Sequence, residues 1–402
     1  MHIRPILVAL RKHKLATFLI AMEIALACAV LCNAVFIIAN RLSAMNIVTG
    51  VDEASLGEIV VTGFEPKEAS DLNARMIAGL AAIPGVESVH AVSSVPFGPQ
   101  AGVAGVTLDH KHYGTVIDYY VGDSGTIKAL GLELVAGAMP DADDYQAIPD
   151  KAWLPPSARV LVTRALADRL WPGESPLGKM FWTGPYQYRV IGVVANFMGA
   201  AANGGGRAEW SAFVPALPGG TLAGTYQIRA NPQDLERVMT EARKTVATIA
   251  PDVVLDHENS QSIPVLRAAH FATDRAMAGM LIGVIAALLG VTALGIVGLA
   301  SFWVAQRRKQ IGIRRAIGAT RGDILRYFQT ENFLIVTFGI VIGMLLAFVL
   351  NAVLMKFYEL PHLPLYYLPI GALALWGLGQ LAVLGPALRA AAVPPVVATR
   401  SV

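Results

Sequence analysis

The 402-residue sequence predicts an α-helical membrane protein with four transmembrane helices and a large α+β extracytoplasmic domain. Three observations predict it: four long apolar runs, a soluble stretch between the first two, and an uneven distribution of Lys and Arg. Only 15% of the residues are charged and 54% are apolar, with a mean hydropathy of +0.52. Soluble domains carry roughly 25% charged residues. The composition excludes disorder, which needs low hydrophobicity and high charge, and argues against an ordinary soluble enzyme.

The first run, 15–40, holds a single charge, Glu23. The second, 276–305, and the third, 332–355, hold none. The fourth covers 360–388 and is broken near its start by Pro361, Pro364 and Pro369, so its helix is placed at 365–388. Each exceeds the roughly 20 residues needed to cross a bilayer. The first run is too long for a signal peptide and lacks a small-residue cleavage site, so an uncleaved anchor is expected.

Orientation follows from the basic flanks. Arg4, Arg11, Lys12 and Lys14 precede the first helix. Between the second and third lie Arg307, Arg308, Lys309, Arg314, Arg315, Arg321 and Arg326, and Arg389 and Arg400 follow the fourth. The link 356–364 between the third and fourth has only Lys356 and Glu359. The segment 1–14, the loop 306–331 and the tail 389–402 are therefore expected in the cytoplasm, with 41–275 outside and helices three and four as an outer hairpin. The net charge of +3 hides this polarity. Residues 41–275 hold 18 basic and 25 acidic residues, and the remainder holds 14 and 4.

The outer segment is large enough for its own core. Its start reads strand, helix, strand at 58–62, 67–82 and 86–95. A second such unit follows at 226–229, 231–250 and 253–256, with Asn231 as helix cap and Pro232 in the first turn. Two such units suggest a ferredoxin-like α+β sandwich. The middle, 111–221, reads as a strand-rich insert with strands at 159–162 and 188–194, a short helix at 164–170 and a glycine-rich tip at 203–206. Residues 265–275 look helical and run straight into the second membrane helix as a stalk.

Several features invite a chemical reading. Cys28 and Cys32 share one helix face, but no His or further Cys completes a metal set, so they read as small core residues. His110, His112, Asp118 and Asp123 follow no known ligand spacing and read as solvated surface. The stretch Gly173 to Met180 approaches a P-loop, yet Met180 stands where Ser or Thr would hold magnesium and Pro176 removes a backbone donor. Glu23 lies about 13 Å along the helix from Lys14. An acid at that depth is a functional candidate by default; an interhelical hydrogen bond is the plainer reading, proton coupling the sharper. Ala21, Ala25 and Ala29, then Gly279 and Gly283, then Gly339 and Gly343, put small residues at four-residue spacing, which lets helices approach closely. No nucleophile elbow, HExxH or paired catalytic carboxylates stand out.

The most informative stretch is Arg307-Arg308-Lys309-Gln310-Ile311-Gly312-Ile313-Arg314-Arg315-Ala316-Ile317-Gly318-Ala319-Thr320-Arg321-Gly322-Asp323-Ile324. It reads as helix, Gly-Ala break, helix, with Thr320 capping the second helix and Asp323 near its N-terminal end. This run closely resembles the signature of MacB/FtsX-like permeases, the membrane subunits of mechanotransmission (type VII) ABC transporters. Gln310 stands where that family usually has Glu. Ile83 to Val89, Leu130 to Gly137, Val162 to Gly173, Pro176 to Lys179, Val190 to Val194 and the tail Pro386 to Pro395 resemble further landmarks of the same family.

The resemblance implies a periplasmic domain with porter-like parts at 41–110 and 222–262, a Sabre-like insert at 111–221 and a stalk at 263–275, in a protein of the bacterial inner membrane. It implies a dimer of permeases, identical or paralogous, on two separate ABC ATPase subunits that bind ATP and magnesium. This chain itself is expected to bind no cofactor or metal, to contact membrane lipid but no nucleic acid, and to have no catalytic residue. A periplasmic adaptor and an outer-membrane channel are further partners the resemblance allows. Ile313, Arg314, Arg315, Ile317, Gly318, Ala319, Thr320 and Arg321 are the residues expected to meet the ATPase. The work performed is expected to be efflux or extraction of an amphipathic molecule, lipid, lipoprotein or peptide. The other reading is a signalling or scaffold permease that senses, or transmits motion to, an outer partner.

Overall fold

The computed structural model describes residues 14–99, 102–109, 112–149, 152–199, 206–358 and 362–394. The chain forms two compact units, one of Ala44–Ala272 and one of Met1–Ser43 with Thr273–Val402.

The chain begins with α1 (Lys14–Met45) and then enters the outer unit. There β1 (Leu56–Thr62), α2 (Ala69–Ala81) and β2 (Val86–Ala91) form the first strand-helix-strand unit. The next elements are β3 (Gly102–Thr107), β4 (Tyr113–Gly122), α3 (Thr126–Leu130), β5 (Leu134–Gly137), β6 (Ser157–Thr163), α4 (Arg164–Leu170), β7 (Met180–Thr183), β8 (Tyr186–Val194) and β9 (Ser211–Pro215). The unit closes with β10 (Thr225–Ala230), α5 (Leu235–Ile249), β11 (Val254–Leu255) and α6 (Ile263–His270).

The first sheet has the antiparallel order β11-β1-β10-β2, with Ile59 opposite Tyr226 and Ile228 opposite Val89. It is the ferredoxin-like arrangement that two strand-helix-strand units make. α2 and α5 cover one face and share a core of Ile59, Leu72, Met76, Tyr226, Val238 and Met239. Gly57 matters here, because a Cβ on it would run into the Met239 thioether. The other face of β1 is buried too: Leu56 belongs to a core shared with Tyr120, Phe197 and Phe213 of the insert. A strand covered on both faces reads as continuously apolar rather than alternating.

The second sheet has seven strands in the order β5-β8-β6-β9-β4-β3-β7. β7 also pairs with β8, so the sheet closes on itself, with parallel pairs only at β4–β9 and β6–β8. Closure leaves few exposed edges. Its core packs Val160, Val162, Phe181, Tyr188 and Val190 against Leu166 and Leu170 of α4.

The structure corrects four details of the sequence reading. The inserted sheet already takes in Gly102–Thr107, ahead of residue 111. β2 ends at Ala91, where Val92 makes only an isolated bridge to Gly122. α5 starts at Leu235, because Asn231 spends its side chain on a turn, accepting from the Gln233 amide at 3.0 Å. The stalk is not one helix, since the chain breaks at Phe271 between α6 and the next helix. His110 and the tip residues 203–205 lie outside the described residues.

The membrane unit continues with α7 (Ala272–Gln306), α8 (Arg308–Ala316), α9 (Arg321–Tyr358) and α10 (Tyr367–Ala391). Among the described residues four helices, α1, α7, α9 and α10, are long and apolar enough to cross a membrane. α1 and α9 interlock through small residues. A Cβ at Gly339 would meet Ile24 and the Ala21 carbonyl, and one at Gly343 would meet Cys28 and the Ala25 carbonyl. Asn33 Nδ2 donates to the Ala347 carbonyl at 3.0 Å and fixes the register. Cys28 and Cys32 are buried, unlinked core residues in this seam. α7 is different. Its membrane-spanning part is 11% buried, against 33–44% for the other three, and a Cβ on Gly279 or Gly283 would meet nothing within 4 Å among the described residues outside its own helix backbone.

Candidate functional site

The basic run between α7 and α9 folds into a short, stiff element. A single residue, Arg307, in a non-helical conformation, separates the end of α7 from the start of α8. It ends in a Schellman motif: the Ala319 amide donates to the Arg314 carbonyl at 3.0 Å and the Gly318 amide to the Arg315 carbonyl at 3.2 Å. That geometry needs a left-handed residue, and Gly318 supplies it at φ +108. α9 then opens with a capping box. The Thr320 amide donates to Asp323 Oδ2 at 3.0 Å, and the Asp323 amide donates to Thr320 Oγ1 at 3.2 Å. The two motifs abut, so the break between the helices is a defined corner.

One side of this element is bound to its own chain. Ile311 packs with Ile324, Phe328, Ala387 and Ala390. Arg307 Nη1 donates to both Glu331 oxygens at 2.9 Å, with its guanidinium over the Trp303 ring at 5.4 Å. Arg315 Nη1 donates to the Ala391 carbonyl at 2.5 Å, at the C-terminal end of α10. Arg314 lies over the Tyr327 ring at 4.9 Å.

The other side is open. Ile313 is 46% exposed and Ile317 is 81% exposed, one turn apart on the same face. Gly318, Thr320 and Arg321 are exposed beside them. Of the eight residues singled out from sequence, these five form the accessible rim. Arg314 is exposed but also engages Tyr327, whereas Arg315 and Ala319 are half-buried and turned toward their own chain. Two isoleucines presented by a basic helix make a knob with a cationic border.

Sequence reasoning missed the Arg307–Glu331 pair. Glu331 was one residue short of the third apolar run, and an acid at the foot of such a run was the available signal. Glu23 is half-buried, and its carboxylate lies against Gly295 of α7, where a Cβ would stand 2.8 Å from Oε2. Glu23 Oε1 and the buried Thr292 hydroxyl, one turn from Gly295, find no hydrogen-bond partner among the described residues.

No group of three or more His, Cys, Asp or Glu among the described residues could hold a metal. His112 pairs with Asp109 at 2.6 Å on the surface, and Asp123 with His90 at 2.8 Å; Asp118 is buried on β4. The P-loop lookalike is a turn that leads into β7 rather than a helix, and Lys179 is paired with Glu174. A phosphate cradle needs the N-terminus of a helix. The notable buried group is Glu58. It is fully buried on β1, directly opposite Gln227, and neither side chain has a hydrogen-bond partner of sound geometry among the described residues. Burial pushes the Glu58 carboxyl well above the ordinary range, the Val95 amide pulls it back, and the Asp256 charge adds to the rise.

Two family models match the chain. The MacB-like periplasmic core domain covers residues 17–252, and the FtsX-like permease C-terminal region covers 281–395. A macrolide export ATP-binding/permease protein MacB of Bradyrhizobium diazoefficiens is 26% identical over 98% of this chain and 59% of its own length. The protein of the same name from Nitrosomonas europaea is 30% identical over 57% of this chain and 35% of its own. The chain thus spans about 59% of the longest-matching of these curated relatives. Among solved structures, the periplasmic region of MacB from Actinobacillus actinomycetemcomitans covers 57% of this chain at 15% identity and a TM-score of 0.35.

Proposed function

Since the chain belongs to the MacB/FtsX-like permease family, we propose that it is the membrane subunit through which an ABC ATPase outside this sequence performs mechanical work on the outer unit. The ATPase supplies ATP and magnesium chemistry; this chain supplies the levers. Its membrane is the bacterial inner membrane, with both termini and α8 on the cytoplasmic side and the outer unit in the periplasm. The cargo class is an amphipathic molecule, lipid, lipoprotein or peptide, moved by efflux or extraction.

The observation that carries this reading is the exposed Ile313–Ile317 knob on α8, held by one defined corner and one buried ion pair. Exposed isoleucines on a rigid, basic element suit a socket in another protein. Stiffness matters, because a push on α8 reaches α7 and α9 only if the corner does not yield. The uncovered face of α7, with Gly279 and Gly283, supports a second permease, identical or paralogous, packed there.

The test is co-purification and ATP turnover of the complex. Ile317→Asp and Gly318→Trp are expected to lower ATPase recovery and permease-stimulated turnover about ten-fold or more, equivalent to about 1.4 kcal/mol of docking energy. Membrane insertion and thermal stability of the chain stay unchanged for Ile317→Asp, whose side chain is 81% exposed. Normal turnover in both variants would sink the docking role.

A further inference from the structure

The outer unit is entered at Ala44 and left at Ala272, so the chain passes into and out of it at two crossings. The first crossing follows the C-terminus of α1 at Met45, where the last carbonyls lack intrahelical donors. The second is α6 and its break at Phe271. One side chain binds both. Arg267, in the last turn of α6, donates through Nη2 to the Met45 carbonyl at 2.7 Å and the Ile47 carbonyl at 2.9 Å. Through Nη1 it donates to Glu53 Oε1 at 2.6 Å, and the same oxygen accepts from Thr49 Oγ1 at 2.6 Å.

The setting is built around this guanidinium. It lies over the Phe97 ring at 5.5 Å. Phe97 is buried and holds a left-handed backbone at φ +65, unusual for a bulky residue. Its ring meets His270 at 5.3 Å and Phe271 at 5.7 Å, the residue where the helix breaks. Arginine suits the task because its planar fork serves several acceptors at once and its charge complements a helix C-terminus. Within the membrane unit, α1 and α7 carry a tie of their own, Arg41 to Asp274 at 2.5 Å.

We propose that Arg267 is a positioning residue that locks the two crossings into one joint, so that a displacement of α7 enters the outer unit through α6 and through the 45–53 segment together. Without it, α6 would move while the α1 exit stayed behind, and the push would be absorbed locally. The role rests on the permease reading above.

The test uses the full chain in nanodiscs with its ATPase and spin labels at Val48 and Val265, both exposed on the two sides of the joint. In the wild type the label spacing is narrow and stays so when Mg-ATP and vanadate are added. Arg267→Ala at least doubles the width of that distribution without nucleotide. Arg267→Lys, which keeps the charge but not the fork, broadens it as well. Glu53→Gln, which leaves both carbonyl bonds, does not. In the alanine variant ATP turnover stays within two-fold of wild type, while the nucleotide-driven change in outer-unit hydrogen exchange falls at least five-fold. Exchange in β6 and β8 without nucleotide is unchanged, which separates transmission from simple loss of structure. A narrow spacing in both arginine variants, or a retained nucleotide response, overturns the joint. A wild-type outer unit that ignores nucleotide overturns the permease reading instead, and the joint is then judged on the nucleotide-free spacing alone.

Discussion

Glu331 at the foot of α9 and Glu58 in the middle of β1 are both sealed from solvent, at 1% and 0% exposure. Both oxygens of Glu331 accept from one arginine nitrogen, Arg307 Nη1, whose guanidinium lies over Trp303. Glu58 meets an equally buried glutamine on the paired strand, and neither side chain finds a hydrogen-bond partner of sound geometry among the described residues. In the membrane unit the carboxylate faces a cation. In the outer unit the environment favours the neutral acid. Burial alone therefore does not decide what a carboxylate does; the group facing it does. The paired acid sits where α7, α8 and α9 must hold one geometry, and the solitary acid sits inside a sheet.

The largest effect should come from breaking the pair. Arg307→Ala leaves Glu331 buried without its counter-charge, and stability of the chain should fall by about 3–5 kcal/mol. Removing both charges with Arg307→Met and Glu331→Gln should recover much of that loss, since a buried pair adds little beyond what apolar packing supplies. Denaturant titration in detergent reads both. A single variant as stable as the wild type would show that the pair is not desolvated as its geometry indicates.

The second variant inverts the sign. Glu58→Gln keeps the shape and removes the titration, so at pH 7 it should be more stable than the wild type by about 1–3 kcal/mol. The folded-state pKa of Glu58 is raised, so the native chain holds its proton to higher pH than the unfolded chain. Stability from this group is fully present below the unfolded value near 4.5 and is lost as pH rises toward the folded value. Thermal melts from pH 4 to 8 should show the wild type falling away from the glutamine variant as pH increases. Parallel curves would mean that Glu58 is ionised and solvated in the native chain.

Much of this molecule was legible in its sequence. The four membrane helices announce themselves by length and absence of charge, and the Ala316–Thr320 corner by glycine, threonine and aspartate in the order that two capping motifs require. The ferredoxin-like pair of units followed from turn signals and hydrophobic runs. What was hidden depends on long-range pairing. Nothing near Glu58 in sequence says that Gln227 stands opposite it, and nothing near Arg267 points to carbonyls more than 200 residues away. The one-residue break at Phe271 was also invisible, because α6 and α7 each read as helix and tertiary packing of the Phe97 and Phe271 rings sets the junction. The glycine pairs show the same limit. Gly339 and Gly343 are spent on α1 and Gly279 and Gly283 on nothing among the described residues, yet their spacing is identical.

Glu23 stands between the two cases and predicts the smallest effect. It faces Gly295 rather than an arginine, as Glu331 does not, and it lies within a membrane helix, as Glu58 does not. Polar interactions between membrane helices contribute about 0.6 kcal/mol on average, so Glu23→Gln should change stability in detergent by less than about 1 kcal/mol. Turnover of the complex separates the two readings of this acid. If Glu23 serves α1–α7 association, glutamine substitutes for it and the pH profile of turnover is unchanged. If it couples a proton, the profile flattens in the variant while stability stays the same. We expect the unchanged profile, because neither Glu23 Oε1 nor the buried Thr292 hydroxyl of α7 finds a hydrogen-bond partner among the described residues, which leaves the carboxyl no relay along which to pass a proton.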